Sequence, residues 1–143
     1  MKRQIALIPL SREHHDALSY ARRAVEASPG AEADAARERT LAFWDRSIAA
    51  HLAREENSLF PALKGAGASR EADRAQEQHD HLRALAARLR EGERGALAAW
   101  GAAMREHVRY EERELFPLAQ RLLDLGSLAR ELDPPSAQPA ASP

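Results

Sequence analysis

His51-Leu52-Ala53-Arg54-Glu55-Glu56-Asn57-Ser58-Leu59-Phe60-Pro61 is matched 56 residues later by His107-Val108-Arg109-Tyr110-Glu111-Glu112-Arg113-Glu114-Leu115-Phe116-Pro117. Both stretches read H-x-x-x-E-E-x-x-L-F-P, and the same shift lays Trp44 on Trp100. A second, weaker repeat precedes each: Glu13-His14-His15-Asp16-Ala17-Leu18 and Glu77-Gln78-His79-Asp80-His81-Leu82 share E-x-H-D-x-L. The chain reads as two copies of a helical hairpin.

Around these motifs, Gly and Pro divide the chain into four long segments rich in Ala, Leu, Glu and Arg, all good helix formers. No stretch alternates β-branched and polar residues with the period of a strand. Ser11 as N-cap and Ser28-Pro29-Gly30 as terminator predict a first helix over 11–27. A connector around 31–34 leads to a second helix ending at Lys64, before Gly65-Ala66-Gly67. A third is predicted from Ser69 to Gly92 and a fourth from Gly95 to Asp124, with a short helical piece over Ser127 to Leu132. The expectation is all-α, an antiparallel up-down-up-down four-helix bundle over residues 1–132, with a disordered Pro/Ala-rich tail over 133–143.

The chain's 143 residues, 44% hydrophobic and 30% charged, suffice for one domain with a core. Lys+Arg 21 against Asp+Glu 22 gives a net charge of -1, so no basic field is available to attract nucleic acid or an anionic membrane. Cysteine is absent, which excludes disulfides, thiolate metal sites and thiol nucleophiles and leaves His and carboxylates to build any metal site. The apolar run within Met1 to Leu10 is broken by Pro9 and is too short for a signal or a span, so a cytoplasmic location is expected.

The second segment carries an apolar stripe of Leu41, Trp44, Ile48, His51/Leu52, Glu55, Leu59 and Ala62. The fourth repeats it as Leu97, Trp100, Met104, His107/Val108, Glu111, Leu115 and Leu118. A His and a Glu interrupt each stripe, and burying them costs several kcal/mol unless they meet a charge partner or a metal. At about 100° per residue, His51 and Glu55 share a face while Glu56 lies about 140° from His51, so Glu55 and Glu111 are preferred over Glu56 and Glu112.

Spacing supplies a second test, because residues at one level on adjacent antiparallel helices are equidistant from the turn between them. The midpoints of His15/His51, His51/His79 and His79/His107 fall at residues 33, 65 and 93, in or beside the predicted breaks. Four imidazoles and two carboxylates then meet at one height, a donor set suited to a pair of first-row transition metals. Iron leads; manganese or zinc also fits the residue chemistry.

The neighbours of these residues divide by direction. His81, about 200° from His79, is expected to face outward. The stripe Leu18, Ala21, Val25 fits a start at either His14 or His15, and the repeat alignment with His79 favours His15. Tyr110 is expected to pack its ring at an edge, and Ile48, Leu52, Met104 and Val108 to wall the site with apolar surface.

The doubled H-x-x-x-E-E-x-x-L-F-P, each copy after an E-x-H helix, resembles the hemerythrin-like (HHE cation-binding) domains over about residues 10–125. The resemblance implies a four-helix bundle holding a non-haem di-iron centre, with an oxo or hydroxo group between the irons. Matched motif to motif, His15 and His51 would ligate one iron, His79 and His107 the other, and Glu55 and Glu111 would bridge. The chain departs from the oxygen carriers of the family, which place H-x-x-x-H on the third helix: here Arg83 follows His79 by four. The fourth helix offers Glu at four after His107 in place of Asp at five. A six-ligand, more symmetric centre is similar to members that sense iron or oxygen or handle peroxide or nitric oxide. The expectation is a monomer or weak homodimer binding or sensing such a small ligand, with a metal-dependent regulatory module as alternative and no catalytic residues beyond the ligands.

Overall fold

A computed structural model describes residues 2–134, and these form helices joined by short turns. Helix α1 spans Ile8–Glu26 and is entered through a 3-10 turn at Ile5–Leu7. Helix α2 runs continuously over 31–65, α3 over Ser69–Arg90 and α4 over 96–122. A 3-10 turn at Leu125–Leu128 then leads to a short α5, Ala129–Leu132. The long helices pack as an all-α bundle, α1 against α2 and α4, and α3 against α2 and α4. The expected disordered tail falls almost wholly on 135–143, outside the described residues.

Helix α3 ends at Arg90, two residues short of the predicted Gly92, and three other boundaries differ from the sequence reading for a local reason. Helix α1 starts before Ser11 because Pro9 occupies its first turn, where a missing N–H and a fixed φ do no harm. Ser11 lies a turn inside, and its hydroxyl donates to Glu112 Oε2 at 2.8 Å. The connector around 31–34 is already helix: the Asp34 N–H donates to Gly30 O at 2.9 Å, and Glu32 and Asp34 sit at the positive end of the helix dipole. Helix α4 stops at Leu122, since Leu123 turns extended after donating its N–H to Ala119 O at 2.9 Å.

The breaks between helices are closed by glycine. Gly67, at φ 92°, donates to Lys64 O while Ala68 N donates to Leu63 O at 2.8 Å, a Schellman ending that only a residue at ease with positive φ completes without strain. Arg37 on α2 adds a second closure by donating to the carbonyls of Leu89 and Arg90 at the end of α3, 2.7 Å each.

The core is split in two. One apolar cluster collects Leu7, Leu10, Leu59, Phe60, Leu63, Leu115, Phe116, Leu125 and Leu132, so the turn after α4 and the short α5 cap that end of the bundle. The other collects Ala17, Ala21, Ala24, Phe43, Trp44, Ile48, Leu52, Leu82, Trp100, Met104 and Val108. Along every long helix the buried histidines and glutamates fall between these clusters: His14 on α1, His51 and Glu55 on α2, His79 on α3, His107 and Glu111 on α4.

Helices α1 and α4 approach closely through small residues. A Cβ placed on Gly101 would lie 2.7 Å from Ala21 O and 2.9 Å from Val25 Cγ2. That closeness explains why Ala, and not Leu, lines the inner face of α1 there.

Candidate metal centre

Six side chains make the polar layer, and none is more than 2% exposed: His14, His51, Glu55, His79, His107 and Glu111. Their ligand-capable atoms form two overlapping groups, His14-His51-Glu55-Glu111 and Glu55-His79-His107-Glu111, each with its atoms within 4.8 Å of one another. Both glutamates belong to both groups.

His15 is not among them. It is exposed and lines a surface hollow with Leu18, Arg22 and Arg105, while its neighbour His14 is buried in the cluster. The inner face of α1 runs Leu10, His14, Ala17, Ala21, Ala24, spaced three and four apart, which is the stripe of a helix facing a core. Leu18 and Val25, the residues that left the choice open, are 39% and 43% exposed. The repeat alignment slipped by one residue, since His14, not His15, is the spatial counterpart of His79. Following the alanines would have found it.

Helices α2 and α4 each widen into a π turn at the glutamate, Glu55–Leu59 and Glu111–Leu115, closed by Phe60 N–H to Glu55 O and Phe116 N–H to Glu111 O. Each turn immediately precedes the proline of L-F-P. A proline ring collides with the carbonyl four residues back in a regular α-helix, and the wider turn relieves that collision while presenting the carboxylate inward. The phenylalanine of each motif lies against an imidazole, Phe116 stacked on His14 at 5.3 Å and Phe60 tilted on His79 at 5.0 Å.

Every imidazole is oriented through its Nδ1–H. His14 donates to Glu112 Oε2 at 2.6 Å, His51 to Glu13 Oε1 at 3.1 Å, His79 to Glu56 Oε2 at 2.7 Å and His107 to Gln78 Oε1 at 2.8 Å. With Nδ1 committed as donor, Nε2 is the ring atom left facing the centre of the layer, and it becomes a ligand once a cation displaces its proton. Sequence reasoning missed these four partners and left Glu56 and Glu112 as the outward member of each pair. The doubled Glu was the available signal: the first points inward, the second reaches sideways to a histidine on the next helix. His81 is exposed as expected, and the Tyr110 hydroxyl donates to Glu71 O at 3.0 Å, away from the cluster. Ile48, Leu52, Met104 and Val108 are buried in the apolar cluster on one side of the layer.

The inward atoms themselves are unsatisfied. The four Nε2 atoms and both carboxylate oxygens of Glu55 and of Glu111 are buried with no hydrogen-bond partner, although Nε2 atoms and carboxylates approach to 3.0–3.6 Å. Leaving so many buried polar atoms unpaired is expensive, and a cation with nitrogen and carboxylate ligands satisfies all of them together. The donor set therefore fits a metal.

The electrostatics point the same way. Burial opposes charge on His14, yet the carboxylates of Glu111 and Glu112 lift its pKa to about 10. Burial likewise opposes charge on His79, and Glu111, Glu55 and Glu56 raise it to about 11. His51 is also raised against its burial, by the charge of Glu55 and by Glu13, whereas burial prevails at His107 and lowers it. Glu111, despite burial, is held well below the usual carboxylate range by His107, His14 and His79. Two buried carboxylates thus draw positive charge into the layer, and a bound cation supplies it by displacing the protons.

A helical bundle with a closed His/carboxylate cluster defines a metal-binding helical protein. Residues 8–119 match the model of the hemerythrin HHE cation binding domain, and the chain belongs to that family. No curated protein and no solved structure matches the chain. Among the described residues no helix is long and apolar enough to cross a membrane.

Proposed function

We propose that this is a cytoplasmic non-haem di-iron protein that binds or senses a small ligand, dioxygen, peroxide or nitric oxide, at a carboxylate-bridged centre. His14 and His51 would hold one iron and His79 and His107 the other, with Glu55 and Glu111 shared between them. The observation that carries the reading is the set of eight buried, unpartnered ligand atoms, all aimed at one layer. Bound iron would supply one-electron chemistry and open coordination positions for the small ligand. The protein's part is to fix the imidazoles through Glu13, Glu56, Gln78 and Glu112, and to keep water out with Ile48, Leu52, Met104 and Val108 on one side and Phe60 and Phe116 on the other. Full closure of the six side chains favours a diatomic molecule or peroxide over a bulky metabolite. Protein loaded with ferrous iron without oxygen and then exposed to air should gain near-ultraviolet and visible absorption. An unchanged spectrum excludes the reading.

A second reading, a metal-dependent regulatory module without redox turnover, is favoured by the donation of at least one cluster side chain from every long helix. Metal occupancy then ties the whole bundle together, and a partner can read its stability. A melting midpoint that ignores iron excludes it.

A further inference from the structure

The outer partners of the four imidazoles follow an approximate two-fold relation, α1 with α3 and α2 with α4. Glu56 on α2 holds His79 on α3, as Glu112 on α4 holds His14 on α1. Glu13, immediately before His14, holds His51 on α2, as Gln78, immediately before His79, holds His107 on α4. Of these two matched pairs one is chemically unequal: a carboxylate at 13 stands against an amide at 78. Each of the three carboxylates is in turn paired with an arginine, Glu13 with Arg54, Glu56 with Arg83 through two 2.7 Å bonds, and Glu112 with Arg3.

A carboxylate accepting Nδ1–H pushes electron density into the ring and makes Nε2 a stronger metal donor; a neutral amide orients the ring but gives less. The arginines temper this effect: Arg3 sits on Glu112 Oε1 and leaves Oε2 to His14, whereas Glu13 Oε1 and Glu56 Oε2 each take a guanidinium and an imidazole together, and the atom in contact with the ring is in every case a carboxylate oxygen. His14 and His51 are both strengthened donors, whereas of His79 and His107 the former alone is.

We propose that the two cation positions are unequal, that the His14/His51 position fills first and holds its ion more tightly, and that Gln78 makes the His79/His107 position the weaker, exchangeable one. The proposal rests on the two-ion reading above. It can be tested by titrating chelator-stripped full-length protein with Co(II), following heat and visible absorption. Repulsion between two dications sharing Glu55 and Glu111 separates the steps even in a symmetric centre, so the deciding quantity is which step a variant moves. Gln78→Glu should strengthen the second step about tenfold and leave the first within about twofold, while Gln78→Ala should weaken the second step by a similar factor. Gln78→Glu acting on the first step, or on neither, overturns the proposal when its circular dichroism and melting match the parent protein; if that variant does not fold, Gln78→Ala is read by the same criterion. Failure of the parent protein to take up a second Co(II) overturns the two-ion reading itself.

Discussion

At position 14 the choice between two adjacent histidines is made by the rest of α1, whose buried face passes through His14 and leaves His15 in solvent. His14→Ala is therefore expected to cut the iron retained after desalting to one ion per chain or fewer, whereas His15→Ala should retain the parent amount; elemental analysis of the two variants side by side reads the difference. Equal loss in both would contradict the placement. The burial of His51, Glu55, His107 and Glu111 was legible in the sequence because a polar residue recurring on an apolar stripe has to be explained, and His79 was set at their level by its spacing from the turns. Glu13, Glu56, Gln78 and Glu112 were not, because they sit beside the stripe where a solvated charge is the ordinary occupant, and only the neighbouring helix reveals what they hold.

Among the helices, the breaks were readable at Gly30, Gly67, Gly92 and Gly95, where positive φ favours glycine. The π turns at Glu55–Leu59 and Glu111–Leu115 were not predicted, although the prolines that accompany them stand in the motif. A proline within a helical pattern is usually taken as an ending, and here the helix absorbs it by widening one turn. The close approach of α1 and α4 gives a prediction at this scale. Gly101→Ala would drive a methyl group into Ala21 O and Val25, so it should destabilise the fold by about 1–3 kcal/mol, a loss of several degrees in melting temperature. An unchanged melting point would mean that the two helices separate freely, contrary to their close packing at Gly101.

Over the whole molecule, a polar layer divides two apolar clusters, and one end is capped by the turn at Leu125–Leu128 and α5. Such a layer weakens a core unless something satisfies it, so metal binding and folding should be coupled. Iron at 100 times its dissociation constant should stabilise the folded chain by about 2.7 kcal/mol per independent site, visible as a raised melting midpoint in the presence of metal. Glu55→Ala, which removes a side chain common to both ligand groups, should abolish that shift. A shift surviving in Glu55→Ala would place the cation elsewhere.

The most direct measurement is anomalous scattering at the iron edge from crystals of the iron-loaded protein. Two peaks inside the bundle, one between His14 and His51 and one between His79 and His107, with Glu55 and Glu111 reaching both, are predicted. Peaks on the surface alone, or imidazoles turned away from the metal, would contradict the account.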